Sequence, residues 1–252
     1  MLYAAKSHIG LVRSMNQDGY VILSELPVGQ LYLVADGMGG PSAGDVASQL
    51  AVQRVGEYMA ANLLPTSDAP QVLVDAVHDA NAAIFQQSCE NPAYHGMGTT
   101  VVCALAVGDY IHIVHVGDSR AYVLVGDEFR QVTRDHSLVA ELVRRGQLSE
   151  DEAKIHPQRN IVTRSLGTEP QSLPDLDSVA WRDGDVALLC SDGLTNLVSD
   201  SELAEYLRRA RLCDNAGDLE SLVDDMIEQA LERGGTDNVT ALVVVNREGA
   251  DD

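Results

Sequence analysis

Five aspartates sit where apolar runs begin or end. Asp36 closes the run at the start of "LYLVADGMGG" (31–40), Asp118 follows "IHIVHVG", and Asp192 follows "VALLCS". Asp18 precedes "GYVIL", and Asp237 precedes "NVTALVVV". In an antiparallel sheet the exit of one strand lies beside the entry of its neighbour, so all five can share one rim. Ionised carboxylates crowded on a rim repel one another. Either their pKa values rise or divalent cations neutralise them. An all-oxygen ligand set selects Mg²⁺ or Mn²⁺ over zinc. His112 and His115 stand three apart on a strand, so they point to opposite faces and do not chelate one ion together. The glycines after Asp36 let backbone and an ion or phosphate approach closely. Taken singly, each acid also fits a turn. Asp109 in "VGDY" and Asp127 in "VGDE" read as plain hairpin turns.

The elements that must position these acids follow from periodicity. Strand patterns cover about 2–9, 19–24, 31–35, 99–107, 110–116, 120–125, 128–133, 186–191 and 239–245. The middle of the chain reads as an antiparallel meander. Helical spacing of apolar residues appears from Val46 to Met59, from Leu73 to Ile84 and from Leu219 to Leu231, the last stopped by Gly234 and Gly235. Ser199 and Glu202 fit a capping box. Strands and helices come in blocks, which predicts an α+β fold of antiparallel sheet covered by helices. Residues 136–168 hold two short helix patterns and a His-Pro loop, and read as an inserted flap.

The chain has 252 residues and a formal net charge of −21, from 38 acids and 17 bases. That balance argues against nucleic-acid binding, which needs a basic face, and against docking on anionic membranes. No apolar run reaches the roughly 20 residues of a membrane span, and the N-terminus has no apolar core of signal-peptide length. A cytoplasmic protein is expected. Cys103 and Cys190 lie in apolar runs, and the four cysteines read as reduced and structural.

The segments "GLVRSMNQD" (10–18), "VADGMGG" (34–40), "GMGTT" (96–100), "HVGDSR" (115–120), "CSDGL" (190–194) and "GGTDNVT" (234–240) occur in the order seen in metal-dependent serine/threonine protein phosphatases of type 2C, the PPM family. "HPQRN" (156–160) resembles the flap motif of its bacterial members. The resemblance spans residues 10–240 and is to the compact bacterial form. It implies one catalytic domain over 1–246, a flap at about 136–168 and an acidic tail at 247–252. It implies two antiparallel sheets packed face to face with helices on both outer sides. It also implies roles. Asp36 and the carbonyl of Gly37 match ligands of two core metals, with Asp36 bridging both and Asp192 and Asp237 completing one. Asp118 with Asp192 matches a third, weaker site, where Asp18 holds metal-bound water. Arg13 matches the residue that grips substrate phosphate; without the motif it would read as a solvent-facing arginine. A hydroxide bridging two Mn²⁺ or Mg²⁺ ions would attack phosphoserine or phosphothreonine, opposing a serine/threonine kinase or acting on its targets, as a monomer.

One departure concerns the proton for the leaving group. Relatives carry His where this chain has Met38 or Pro41, so a metal-bound water is the expected acid, with His136 in "RDHS" as the alternative and a structural role for that histidine as its competitor. Two other readings compete with an active protein phosphatase. One is a catalytically weak relative that binds partners, which loss of metal acids would mark. The other is a phosphatase of small phosphoesters.

Overall fold

The computed structural model describes residues 1–40 and 43–247. Pro41, and the tail beyond Arg247, lie outside the described residues. The strands are β1 (Leu2–His8), β2 (Asp18–Leu23), β3 (Gln30–Met38), β4 (Gly98–Thr99), β5 (Val101–Val107), β6 (Tyr110–Val116), β7 (Arg120–Val125), β8 (Glu128–Gln131), β9 (Asp175–Ala180), β10 (Val186–Cys190) and β11 (Val239–Val245). The helices are α1 (Ala43–Asn62), α2 (Ala69–Glu90), α3 (Leu138–Arg144), α4 (Glu150–Lys154), α5 (Asp192–Thr195), α6 (Asp200–Ala210) and α7 (Ala216–Glu232). One sheet runs β1-β11-β10-β7-β8. The other runs β2-β3-β5-β6-β9, with β4 attached to β3.

Alternation along each strand builds a four-layer α-β-β-α stack. On β3, Leu31, Leu33 and Ala35 face α1 and α2, while Tyr32 and Val34 face the other sheet. On β11, Val243 and Val245 meet α6 and α7, while Leu242 and Val244 meet the opposite sheet. Period two therefore serves two cores from one strand, because both faces of each sheet are covered. Cys103 and Cys190 belong to these outer cores, Cys213 packs among α6 and α7, and Cys89 is exposed.

The sandwich with helices outside agrees with the expected fold, and three details differ. First, the middle of the chain is no single meander. The hairpin β5–β6 lies in one sheet and the hairpin β7–β8 in the other. The chain changes sheets across Gly117–Ser119, where Gly117 adopts a φ of 114°. Second, β3 does not stop at Asp36. It continues to Met38 because Gly37 pairs with Thr99 and Met38 with Gly98. The expected strand 99–107 breaks at Thr100, which turns its hydroxyl and amide onto Asp36. Third, β9 was not expected. It is an edge strand pairing only with β6, and Val179 is its one buried residue, so "DLDSVA" carries no apolar run.

Residues 136–168 leave β8, form α3 and α4, and return at Leu166, whose N–H and C=O exchange hydrogen bonds with Thr99 at 2.8 and 3.1 Å.

Candidate metal centre

The change of sheets is what gathers the acids. Asp18 opens β2 and stands directly opposite Asp36 in the β2–β3 register. Asp192 follows β10 and Asp237 precedes β11, neighbours in the other sheet. Asp118 lies on the crossing between sheets. The rim is thus the open end of the cleft between two sheets rather than the edge of one.

Asp36 is fixed by its main chain. Its N–H donates to Thr100 Oγ1 (3.1 Å), and its C=O accepts from the Thr100 N–H (2.8 Å) and Thr99 Oγ1 (2.9 Å). Thr100 Oγ1 also pairs with Ser119 Oγ at 2.7 Å, tying the Asp36 strand to the Asp118 turn. Asp18 Oδ2 accepts from Ser191 Oγ (2.8 Å) and Thr240 Oγ1 (2.6 Å), both from the other sheet. Asn196 Nδ2 donates to Asp192 Oδ2 (3.1 Å). Asp237 accepts its neighbour Asn238's N–H at Oδ1 (2.9 Å) and the Arg13 guanidinium at Oδ2 (2.7 Å).

The electrostatics bind the five into one group. Burial pushes Asp18 and Asp118 up to about 7, and the charge of Asp192 adds to both, with Asp237 acting on Asp18 and Asp135 on Asp118. Asp36 is driven well above the usual carboxylate range by burial and then by Asp18, Asp192, Asp118 and Asp237 together. Asp192 is raised by burial and by Asp237. Burial disfavours the charged form, and a like charge nearby does so again.

Divalent cations fit this arrangement on three grounds. The donor set is all oxygen. Asp18 Oδ1 is buried with no hydrogen-bond partner, a costly state that an ion or its water would relieve. Gly37 is packed so closely that a Cβ there would lie 2.0 Å from Gly44 O, so its backbone sits where no side chain fits.

His136 is placed one layer behind the rim. It is buried, its Nδ1 accepts the Gly117 N–H (3.1 Å), and its ring stacks on His115 with centroids 4.8 Å apart. Burial, His115 and Arg164 pull its pKa down to about 4. His115, His136 and Asp175 offer ligand-type atoms all within 4.8 Å, a grouping that sequence reasoning missed. Nearly parallel rings (15°) do not aim both lone pairs at one ion, and the Arg164 guanidinium already lies 3.3 Å from both His136 Nε2 and Asp175 Oδ1. The group joins the 136–168 segment, β9 and the Asp118 turn. His112 bonds Ser178 and His115 meets Arg134, so the two do not converge, as expected.

Sequence reasoning also passed over the residues that hold the acids. Thr100, Ser191, Asn238 and Thr240 lie inside the segments quoted for the family resemblance, and that adjacency was the available signal. Asn238 has the widest reach. Its Nδ2 donates to Ile9 O (2.8 Å) and Met15 O (3.0 Å), and its Oδ1 accepts from the Gln17 N–H (2.8 Å).

The two-sheet scaffold thus gathers five aspartates at the mouth of its cleft, an all-oxygen donor set of the kind that divalent cations take. Comparison with known proteins makes this specific. The family model "Protein phosphatase 2C" matches residues 6–238. The serine/threonine phosphatase Stp of Listeria innocua is 38% identical over 237 residues, covering 93% of this chain and 92% of that protein. The crystal structure of the Mycobacterium tuberculosis serine/threonine phosphatase PstP/Ppp superposes with a TM-score of 0.86 at 38% identity, covering 98% of each chain. A structure of the PstP catalytic domain in complex with two manganese ions matches at TM-score 0.81 and 37% identity, covering 96% of each. The chain belongs to the protein phosphatase 2C family, and it is a hydrolase of phosphorylated serine and threonine in proteins.

Proposed function

We propose that the rim carries out this hydrolysis with Asp36, Asp192, Asp237 and the carbonyl of Gly37 holding two divalent cations, Mn²⁺ or Mg²⁺. Asp118 and Asp192 would hold a third, weaker one, with Asp18 placed to hydrogen-bond to water there. The observation that carries the assignment is the convergence on Asp36: Asp18 stands opposite it in the β2–β3 register, and its carboxyl feels all four other aspartates, which come from four separate segments of the chain. Bound there, two such cations would supply an acidified water and positive charge against the phosphoryl oxygens.

The chain's own residues do the rest. Asp18 and Asp36, locked in register, keep two carboxylates facing at a fixed separation. Thr100 holds the main chain of Asp36 and the Asp118 turn together, so the ligands are ordered before any ion arrives. Arg13 projects over the acids, and in this structure its guanidinium donates to Asp237. A phosphate monoester offers that planar fork two oxygens in place of one carboxylate oxygen. Met38 offers the leaving group no imidazole. His136 lies behind the Asp118 turn with Nδ1 occupied by the Gly117 N–H, a positioning role that leaves water as the proton donor.

The substrates we propose are a serine/threonine kinase or that kinase's targets, met in the cytoplasm by a monomer. Among the described residues no helix is long and apolar enough to cross a membrane. The test is phosphate release from phosphothreonine and phosphotyrosine peptides and from a nucleoside monophosphate, with Mn²⁺ and with chelator. Release from the phosphothreonine peptide that chelator abolishes is the expected result. Metal-independent release, or preference for the nucleotide, would overturn it.

A further inference from the structure

The loop Ile9–Gln17 is fastened at both ends and exposes its tip. Asn238 bonds both Ile9 and Met15, and Gln17 beyond them. The Leu11 N–H donates to Gly235 O at 2.8 Å. Gly10 has a φ of 80°, and a Cβ on it would lie 2.1 Å from Asp237 O, so the loop's neck is pressed against the metal-ligand segment. A loop held this way keeps one shape, so binding to it costs little ordering.

What the tip exposes is apolar. Leu11 is 64% exposed and Val12 68%, Met15 is also exposed, and none of the three belongs to a core. Single exposed apolar residues are ordinary. Here three fall within five positions of a fixed loop, and Arg13 stands between them. We propose that this loop is a docking ridge for phosphoprotein substrates, in which Leu11, Val12 and Met15 receive an apolar side chain next to the phosphorylated residue.

The proposal rests on the phosphatase reading of the rim, with Arg13 as its phosphate contact. Leu11 and Val12 precede Arg13 and Met15 follows it, so exposed apolar side chains stand on both sides of the proposed phosphate contact, within reach of the residues that adjoin a phosphorylated one at about 3.8 Å per step. Charge narrows the choice. The chain's net charge of −21 repels acidic flanks, whereas an apolar flank gains from leaving water.

The test compares kcat/KM for two phosphothreonine peptides that differ only in the flanking residues, Leu and Val in one and Gly and Ser in the other. It uses wild type and the double variant Leu11→Ser/Val12→Ser with Mn²⁺. Wild type is expected to favour the apolar-flanked peptide by about fivefold, the yield of burying part of one such side chain. In the variant the ratio is expected to fall to about one. Equal rates on the two peptides in wild type, or a ratio unmoved by the double substitution, would overturn the ridge while leaving the phosphatase reading standing. No release from either peptide would overturn both. A wild-type dimer in sedimentation that the double substitution dissociates would assign the patch to a second copy of the chain and overturn the proposal.

Discussion

On the α6–α7 face, Glu202 accepts from two nitrogens of Arg233, at 2.5 and 2.8 Å, and from the Ser199 N–H at 3.0 Å. These bonds, Arg233 first, hold its carboxyl below the usual range. At the rim, Asp36 has four carboxylates for neighbours, and burial drives it far the other way. Both regions belong to one acidic chain, yet one pairs its charge with a base on the surface and the other hides like charges together. The first arrangement caps a helix and joins it to its neighbour. The second destabilises the metal-free fold, and a protein retains such a region for what binds there.

Substitutions can break that contrast from its strongest point outward. Asp192→Asn removes charge from the centre of the rim and is expected to lower phosphate release at least about a hundredfold, with Mn²⁺ affinity by calorimetry weakened too. Activity near wild type would take Asp192 out of the site. Asp118→Asn is expected to lower kcat by about tenfold or more while calorimetry still detects core Mn²⁺ uptake. Loss of all uptake would contradict its assignment to a separate, weaker site. Arg13→Ala should mainly raise KM, by about tenfold, if it holds ground state and transition state alike. An unchanged KM would mean that Arg13 serves Asp237 rather than substrate.

The smaller effects concern stability. In chelator, folded Asp18 and Asp118 keep their protons to about pH 7. In the unfolded chain they release them near pH ~4. Between these limits the folded state binds more protons, so the metal-free protein loses stability as pH rises from about 4 to about 7. His136, lowered to about 4, opposes this with one group over part of that range. The melting temperature in chelator is therefore expected to fall by a few degrees over this interval, and added Mn²⁺ to reverse the order by binding only the folded state. A flat profile would show that folding does not raise the pKa values of the rim acids. Glu202→Gln, at the other pole, is expected to lower the melting temperature slightly and leave kcat and KM alone.

The sequence made the acids legible and left their supports obscure. Asp36, Asp192 and Asp237 border long apolar runs, and runs are local. One sheet's rim does not account for their meeting, because β6 and β7 pair in different sheets and nothing in "HVGDSR" announces the crossing. β3 was expected to end where glycine begins, but pairing with Gly98 and Thr99 carries it on to Met38, and a partner's presence is not a local property. β9 escaped because an edge strand need bury only one side chain. Asn238 escaped for a related reason: its partner Gln17 lies 221 positions away, and no spacing rule reaches so far.

The crossing of the chain between sheets divides the acids between two halves of the molecule. Asp18 and Asp36 ride on one leaf of the sandwich, and Asp192 and Asp237 on the other. A cation held among them as proposed would rivet both leaves, so sliding the leaves apart and shedding the metal would be a single event, and the interior seam at Tyr32 and Leu242 should exchange its amide hydrogens more slowly whenever Mn²⁺ is bound.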